Sequence, residues 1–199
     1  MHLPDPMIDG DVSLERTIHK RRTIRSFESK ALTLKQLSQV LWAAQGITDI
    51  GEFKRAAPSA GALYPMDIYG VVGKDCIEKM DPGIYLYEPA GHSISLVKEG
   101  DFRRDIAIAS LGQMWMAHAP LTLVITAEYS RITVKYGQRG IRYAMIEAGH
   151  IGQNIFLQSQ AMGLEAGIVG AFEDQEVIQV MGSKKTHEPL LLMSVGYKR

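Results

Sequence analysis

Four cations crowd a short stretch near the start of the chain, Lys20, Arg21, Arg22 and Arg25, within KRRTIRSF. Guanidinium forks at this density suit a phosphate or another electron-rich group, because arginine donates two parallel hydrogen bonds in a fixed geometry. The same run can equally be a solvated basic loop, since charge runs commonly just face water. A second candidate, APSAGALYP at 57–65, consists of small residues that let backbone lie directly against a flat ring. Read alone it is also an ordinary turn. A third, GIVGAF at 167–172, closes an apolar run, where N–H groups at the end of an element can bond a ligand. A plain strand-to-helix turn is the alternative. The fourth is GYKR, where Lys198 and Arg199 follow a buried-looking strand. A strand that delivers them to a fixed point can complete a phosphate site, although terminal cations are otherwise solvated.

Several chemistries are absent from the sequence. There is no G-x-G-x-x-G, no G-x-x-x-x-G-K-[ST] and no G-x-S-x-G, which argues against a Rossmann dinucleotide site, a P-loop and a serine-nucleophile elbow. His118, His150 and His187 show no metal-ligand spacing with acids or with the single cysteine, Cys76, so no metal is expected. His150 reads as a structural helix residue. A cofactor whose chemistry needs few catalytic side chains remains, and a flavin meets that description.

The elements that must position these residues follow from periodicity. Ser13 can cap a short helix through about His19, and Thr33 with Gln36 forms a capping-box signature before Leu34, Leu37, Val40 and Leu41. KRRTIRSF between them is better extended than helical. Residues 46–65 read as a long loop, which in a compact domain usually has a function. Residues 67–73 predict a strand, GIYLYE and HSISLV a hairpin, 101–118 a helix, and PLTLVITAE a central strand covered on both faces. From about Gly140 to Met162, Ile141, Met145, Ala148, Gly152, Ile155, Ser159 and Met162 recur at helical spacing. Gly149 and Gly152 each cost that helix about 1 kcal/mol against alanine, which predicts another backbone close by, as at a dimer core. A strand near 164–169, a short helix in DQEVIQVMG and a final strand in PLLLMSVGY complete the series, which predicts an α+β fold with a mixed sheet flanked by helices.

The whole chain sets the bounds. With 199 residues and 46% hydrophobic content, one domain can bury a sizeable core. Lys plus Arg and Asp plus Glu number 22 each, so no net field draws nucleic acid or anionic membrane. A lone cysteine excludes an internal disulfide framework and suits a reducing cytoplasm. Residues 1–11, rich in proline and acid, resemble neither signal peptide nor membrane helix and read as an arm that orders on contact.

Taken together, RRTIRSF, PSAGALYP, a long helix carrying EAGHIGQN, GLEAGIVGAF and a basic end after an apolar strand resemble the nitroreductase family of flavoproteins, in register over residues 16–199. SAGALYP and YGQRGIRYAMIEAGH are most similar to its SagB-type dehydrogenase branch. The resemblance implies an intertwined homodimer, with residues 12–199 as an FMN-binding domain and FMN between subunits. It implies Arg21, Arg22 and Thr23 at the phosphate and ribityl chain, Arg25 at the flavin N1 and O2 edge, and Lys198 and Arg199 closing around the phosphate. Pro58, Ser59, Ala60, Gly61 and Leu63 would reach the ring from the partner subunit, and Ile168, Val169 and Gly170 would meet its N5 side. Lys135 and Tyr136 are the pair similar to a proton-transfer pair of the SagB-type branch. Many family members carry asparagine where Ala62 stands, which puts nitroaromatic specificity in doubt. The implied reaction is hydride transfer from NAD(P)H through FMN to a small acceptor such as a nitroaromatic or quinone. The alternatives are FMN-dependent oxidation of a bound thiazoline or oxazoline, and a non-catalytic protein that binds through its basic segment.

Overall fold

The computed structural model describes residues 1–49, 51, 54–183 and 186–199; positions 50, 52 and 53 of the expected loop lie outside them. The chain begins with an arm that finds its contact on its own domain. Leu3 is buried, the Leu3 amide donates to the His92 carbonyl at 3.0 Å, and Met7 donates to Gln39 Oε1 at 2.8 Å. Helix α1, Leu14–Lys20, is capped by Ser13, and α2, Leu34–Gln45, carries the full capping box of Thr33 and Gln36. Between them residues 21–27 are extended, as β-branched and aromatic residues alternating with cations dictate.

Six strands form one sheet: β1 (Met66–Val72), β2 (Gly83–Glu88), β3 (Ser93–Glu99), β4 (Leu121–Ala127), β5 (Glu165–Val169) and β6 (Glu188–Gly196), in the order β3-β2-β1-β4-β6-β5. The α+β class stands, but the mixed pairing does not: all five strand pairs are antiparallel. Parallel pairing among the described residues is confined to single bridges, Thr23 with Ala166 and Leu32 with Ile77. Every residue of β4 is buried, because the strand is central and covered on both faces. Leu121, Leu123 and Ile125 pack toward α2 and the long helix α5 (Arg139–Ala161), and Val124 packs toward α3 (Arg103–Ala109) and α6 (Asp174–Met181). This alternation is the period-two side-chain geometry of a strand.

The expected 101–118 helix is broken. After α3, Leu111 and Gly112 adopt left-handed φ of 55° and 71°, and a separate 3-10 turn spans Met114–His118. A further helix, α4 (Ser130–Tyr136), was not anticipated. In α5 the buried stripe runs through Ala144, Ala148, Ile151 and Ile155, while Met145 is exposed. A Cβ on Gly149 would meet nothing, and one on Gly152 would meet only side chains of Leu191, Ile168 and Met193. No backbone of the same chain therefore approaches either glycine. Within α5 the backbone approach falls instead at Gly140, where a Cβ would stand 3.1 Å from the Ile132 carbonyl, and elsewhere a Cβ on Gly167 would stand 2.2 Å from the Ile24 carbonyl oxygen.

Candidate functional site

The basic run, the β5 segment and the chain end assemble into one neighbourhood. Thr23 bridges to Ala166, the Ile24 amide donates to the Ala166 carbonyl at 2.9 Å, Phe27 bridges to Lys198, and the Arg199 amide donates to Ser26 at 3.3 Å. Gly167 permits this seat, since any side chain there would collide with Ile24 and with the Trp115 ring. Arg21 lies 5.0 Å over the ring of Phe156 on α5, and Arg22 folds back onto the carbonyls of His19 and Arg21. Arg25 and Arg199 line a cavity of about 400 Å³ together with Trp115 and His118. None of Arg21, Arg22, Arg25, Lys198 and Arg199 forms an ion pair among the described residues. Ile168 lies further along β5 beneath Gly152, Val169 is buried and Gly170 is exposed.

The 58–63 segment forms a second neighbourhood. Ala60–Ala62 is a 3-10 turn; Gly61 and Ala62 within it take φ of 63° and 53°, and Tyr64 beyond it takes 45°. For alanine and tyrosine such angles cost on the order of 1 kcal/mol each and persist only where surroundings hold them. The holding contacts are visible: Tyr64 N donates to Ser59 Oγ at 3.0 Å, His150 Nδ1 lies 3.4 Å from the Pro58 carbonyl, and Leu63 packs on the core. Asn154 Nδ2 donates to Ala43 and Ala56 at 3.0 and 3.2 Å, tying α5 to α2 and to the loop. Lys135 and Tyr136, at the end of α4, come to Gly61: a Cβ there would stand 2.7 Å from the Tyr136 hydroxyl and 2.9 Å from Lys135 Nζ. Tyr136 is braced edge-on by Tyr143 at 5.1 Å.

Two clusters escaped the sequence reading. Glu147, on α5 beneath the loop, is only 1% exposed. Its Oε1 accepts from Gln45 Nε2 at 3.0 Å, and Oε2 has no hydrogen-bond partner. Burial pushes its carboxyl up to about 7, opposed by Ser59, Gln45 and Arg55. The second cluster overturns the statement that His187 has no acid at ligand spacing: Asp67, Glu128 and His187 offer ligand atoms within 4.8 Å of one another. They come from the strand ends of β1 and β4 and the residue before β6, so linear spacing hid them. Arg131 already pairs with Asp67 through both nitrogens, at 2.9 and 2.8 Å, and with Glu128 at 2.8 Å. A cation is thus built into the cluster, and its effect is to clamp the start of α4, which carries Lys135 and Tyr136.

The two neighbourhoods border α5 on opposite sides. Glu147 beneath Ser59 and Phe156 beneath Arg21 are nine residues apart, about half a turn out of phase at roughly 100° per residue.

A family model described as the nitroreductase family matches residues 18–197. A protein of Methanocaldococcus jannaschii described as a candidate nitroreductase is 43% identical over 188 residues, covering 94% of this chain and 92% of its own length. The microcin B17-processing protein McbC of Escherichia coli is 25% identical over 173 residues, 85% of this chain and 64% of McbC. A solved structure from Ralstonia eutropha, also described as a candidate nitroreductase, superposes with a TM-score of 0.86 at 29% identity, covering 99% of this chain and 88% of that one. A chain of the Escherichia coli microcin synthetase McbBCD complex shares the fold with a TM-score of 0.78 at 23% identity, over 97% of this chain and 75% of its own. Among the described residues no helix is long and apolar enough to cross a membrane.

Proposed function

The chain belongs to the nitroreductase family, and from that premise we propose that it is an FMN-dependent oxidoreductase acting as a homodimer. The observation that carries the cofactor is the chemistry of the first neighbourhood, where Arg25 and Arg199 line a cavity that Glu28 also borders, Arg21 and Arg22 sit on the same segment seated against a glycine, Lys198 bridges to that segment at Phe27, and none of the five forms an ion pair among the described residues. A phosphate dianion suits that set. Arg21, Arg22, Thr23, Lys198 and Arg199 would hold the phosphate and ribityl chain. Arg25 would stand at the N1 and O2 edge, where a cation stabilises negative charge that develops on reduction. Ile168, Val169 and Gly170 would offer backbone to the N5 side. Bound FMN would supply two-electron hydride chemistry, taking hydride from NAD(P)H and delivering it to a nitroaromatic or quinone.

The homodimer is favoured by the half-turn offset along α5. One copy presents its cations on one side of that helix and its 58–63 loop on the other, so Pro58, Ser59, Ala60, Gly61 and Leu63 of a second copy are better placed to cover a ring held by the first. The left-handed backbone at Gly61 and Ala62 presents main chain rather than bulk to a flat ligand.

A second reading has its own observation: α4 brings Lys135 and Tyr136 to Gly61 of the loop, and McbC, a microcin B17-processing protein, is a relative. In that reading the same cofactor oxidises a bound thiazoline or oxazoline, and Lys135 and Tyr136 hold and move its proton. Two measurements decide. The purified protein should be yellow and dimeric; a colourless monomer that takes up no added FMN overturns the proposal. Stopped-flow mixing with NADH and NADPH should reduce the flavin rapidly, and failure of both donors favours the azoline reading. A colourless protein whose nucleic-acid affinity falls steeply with salt would instead mark a basic binding module.

A further inference from the structure

One buried nitrogen outside the proposed flavin contacts faces an acid it does not bond. His187, the residue before β6, is only 6% exposed, and among the described residues its Nε2 has no hydrogen-bond partner. That nitrogen stands 3.7 Å from Glu128 Oε2, beyond hydrogen-bond length. The other ring nitrogen, Nδ1, lies 3.2 Å from the Tyr69 hydroxyl and 3.4 Å from Asp67 Oδ2. One edge of the imidazole is therefore secured, while the other is directed at a carboxylate with nothing between them. A buried polar atom in that position calls for a partner. Asp67 and Glu128 keep 19% and 28% of their side-chain surface exposed, so a partner can arrive from solvent.

We propose that Asp67, Glu128 and His187 form a site for a divalent transition ion of the zinc type, which enters in exchange for the Arg131 guanidinium. One ligand atom from each residue lies within 4.8 Å of the other two. Two ligands about 2.1 Å from one ion at a tetrahedral angle stand about 3.4 Å apart, so His187 and Glu128 are nearly in place and the set closes by at most about 1.4 Å. Ligation through Nε2 requires the ring proton on Nδ1, where Tyr69 and Asp67 both offer it an oxygen. An imidazole beside two carboxylates suits zinc-like ions, whereas Mg2+ and Ca2+ prefer oxygen throughout. Arg131 makes the exchange necessary, because it holds both oxygens of Asp67 and Oε2 of Glu128. Its single charge leaves one of the two carboxylate charges uncancelled and gives His187 nothing; a divalent ion cancels both and takes up Nε2. Arg131 lies in the first turn of α4, so its release loosens the start of that helix. The site is independent of the FMN reading.

The test titrates the full-length protein with Zn2+ against a chromophoric chelator, with Mg2+ in excess, and follows amide exchange at residues 130–136. The wild-type protein should take up about one Zn2+ per chain, and exchange at the start of α4 should quicken as it does. His187→Gln and Glu128→Gln should each lower zinc affinity at least about tenfold. Arg131→Met removes the competitor and should raise affinity about 10- to 100-fold, the scale of a charge-assisted bond, with α4 exchange then indifferent to zinc. That gain decides the matter if the ligand variants do not fold, since a purely structural ion pair would give none. Failure of the wild-type protein to take up zinc overturns the site. Equal affinity in wild type, His187→Gln and Glu128→Gln means an adventitious ion only, held by other side chains, and overturns it too. Unchanged or weaker binding in Arg131→Met refutes the exchange.

Discussion

Replacing Gly167 with alanine should damage both stability and flavin binding through one displacement. A methyl there would lie 2.2 Å from the Ile24 carbonyl oxygen and 2.9 and 3.0 Å from the Trp115 ring. Carbon and oxygen rest no closer than about 3.3 Å, so the 21–25 segment must retreat by roughly 1 Å. That retreat stretches the Ile24 to Ala166 hydrogen bond, now 2.9 Å, beyond useful length. Overpacking costs about 1–3 kcal/mol and the lost bond about 1 more, giving a loss of about 2–4 kcal/mol. Urea unfolding should show a lower midpoint at unchanged slope. If the same segment grips the phosphate, moving its guanidiniums by roughly 1 Å forfeits a charge-assisted bond worth about 1.5–3 kcal/mol, or about 10- to 100-fold in Kd for FMN. Wild-type unfolding and wild-type affinity together would refute the seating of this segment on β5. Lower stability with unchanged affinity would remove the cations from the ligand site.

Other perturbations separate the remaining claims. Arg21→Ala should weaken FMN binding by about 1.5–3 kcal/mol with little change in unfolding, measured by flavin fluorescence titration. Glu147→Gln should change the pH dependence of stability. A carboxyl that rises from 4.5 to about 7 on folding favours the folded state less as pH climbs through that span, so wild type should lose about 3 kcal/mol relative to the variant between pH 4.5 and about 7, and parallel curves would contradict the burial argument. Asp67→Asn should remove the main partner of Arg131, destabilise the protein by about 1 kcal/mol and loosen the start of α4, visible as faster amide exchange through residues 130–136. Gly149→Ala should weaken the dimer in sedimentation, because its Cβ meets nothing within one chain and can clash only with a second copy; a gain of about 1 kcal/mol with unchanged association would place α5 outside the interface.

Much of the fold was legible because its elements carry local signals. Thr33 and Gln36 announce α2, the apolar run from Leu121 announces a central strand, and the proline and glycine between Glu88 and His92 announce the hairpin. The break after α3 was missed because Leu111 gives no warning of left-handed backbone. Helix α4 has no side-chain cap and is one turn short of a readable period. At the site, the small residues of 57–65 and the arginines could be found by type. Glu147 could not, since the decisive facts are its burial and the arrival of Gln45 from 102 residues away. The Asp67, Glu128 and His187 cluster is of the same kind, assembled by strand ends that meet only in the sheet.

The strand order also governs how the molecule can be made. β6 is the last strand in sequence, yet it lies between β4 and β5. β5 therefore precedes its ladder partner β6 in the chain, and its earlier-made contact is the single bridge of Thr23 to Ala166. Lys198 and Arg199 follow β6 and meet Phe27 and Ser26, so the cationic neighbourhood is complete only once β6 is in place. A chain arrested before β6 docks would keep α2 and the hairpin of β2 and β3 while lacking Lys198 and Arg199 at the anionic-ligand site. Capture of the ligand would then report completed assembly.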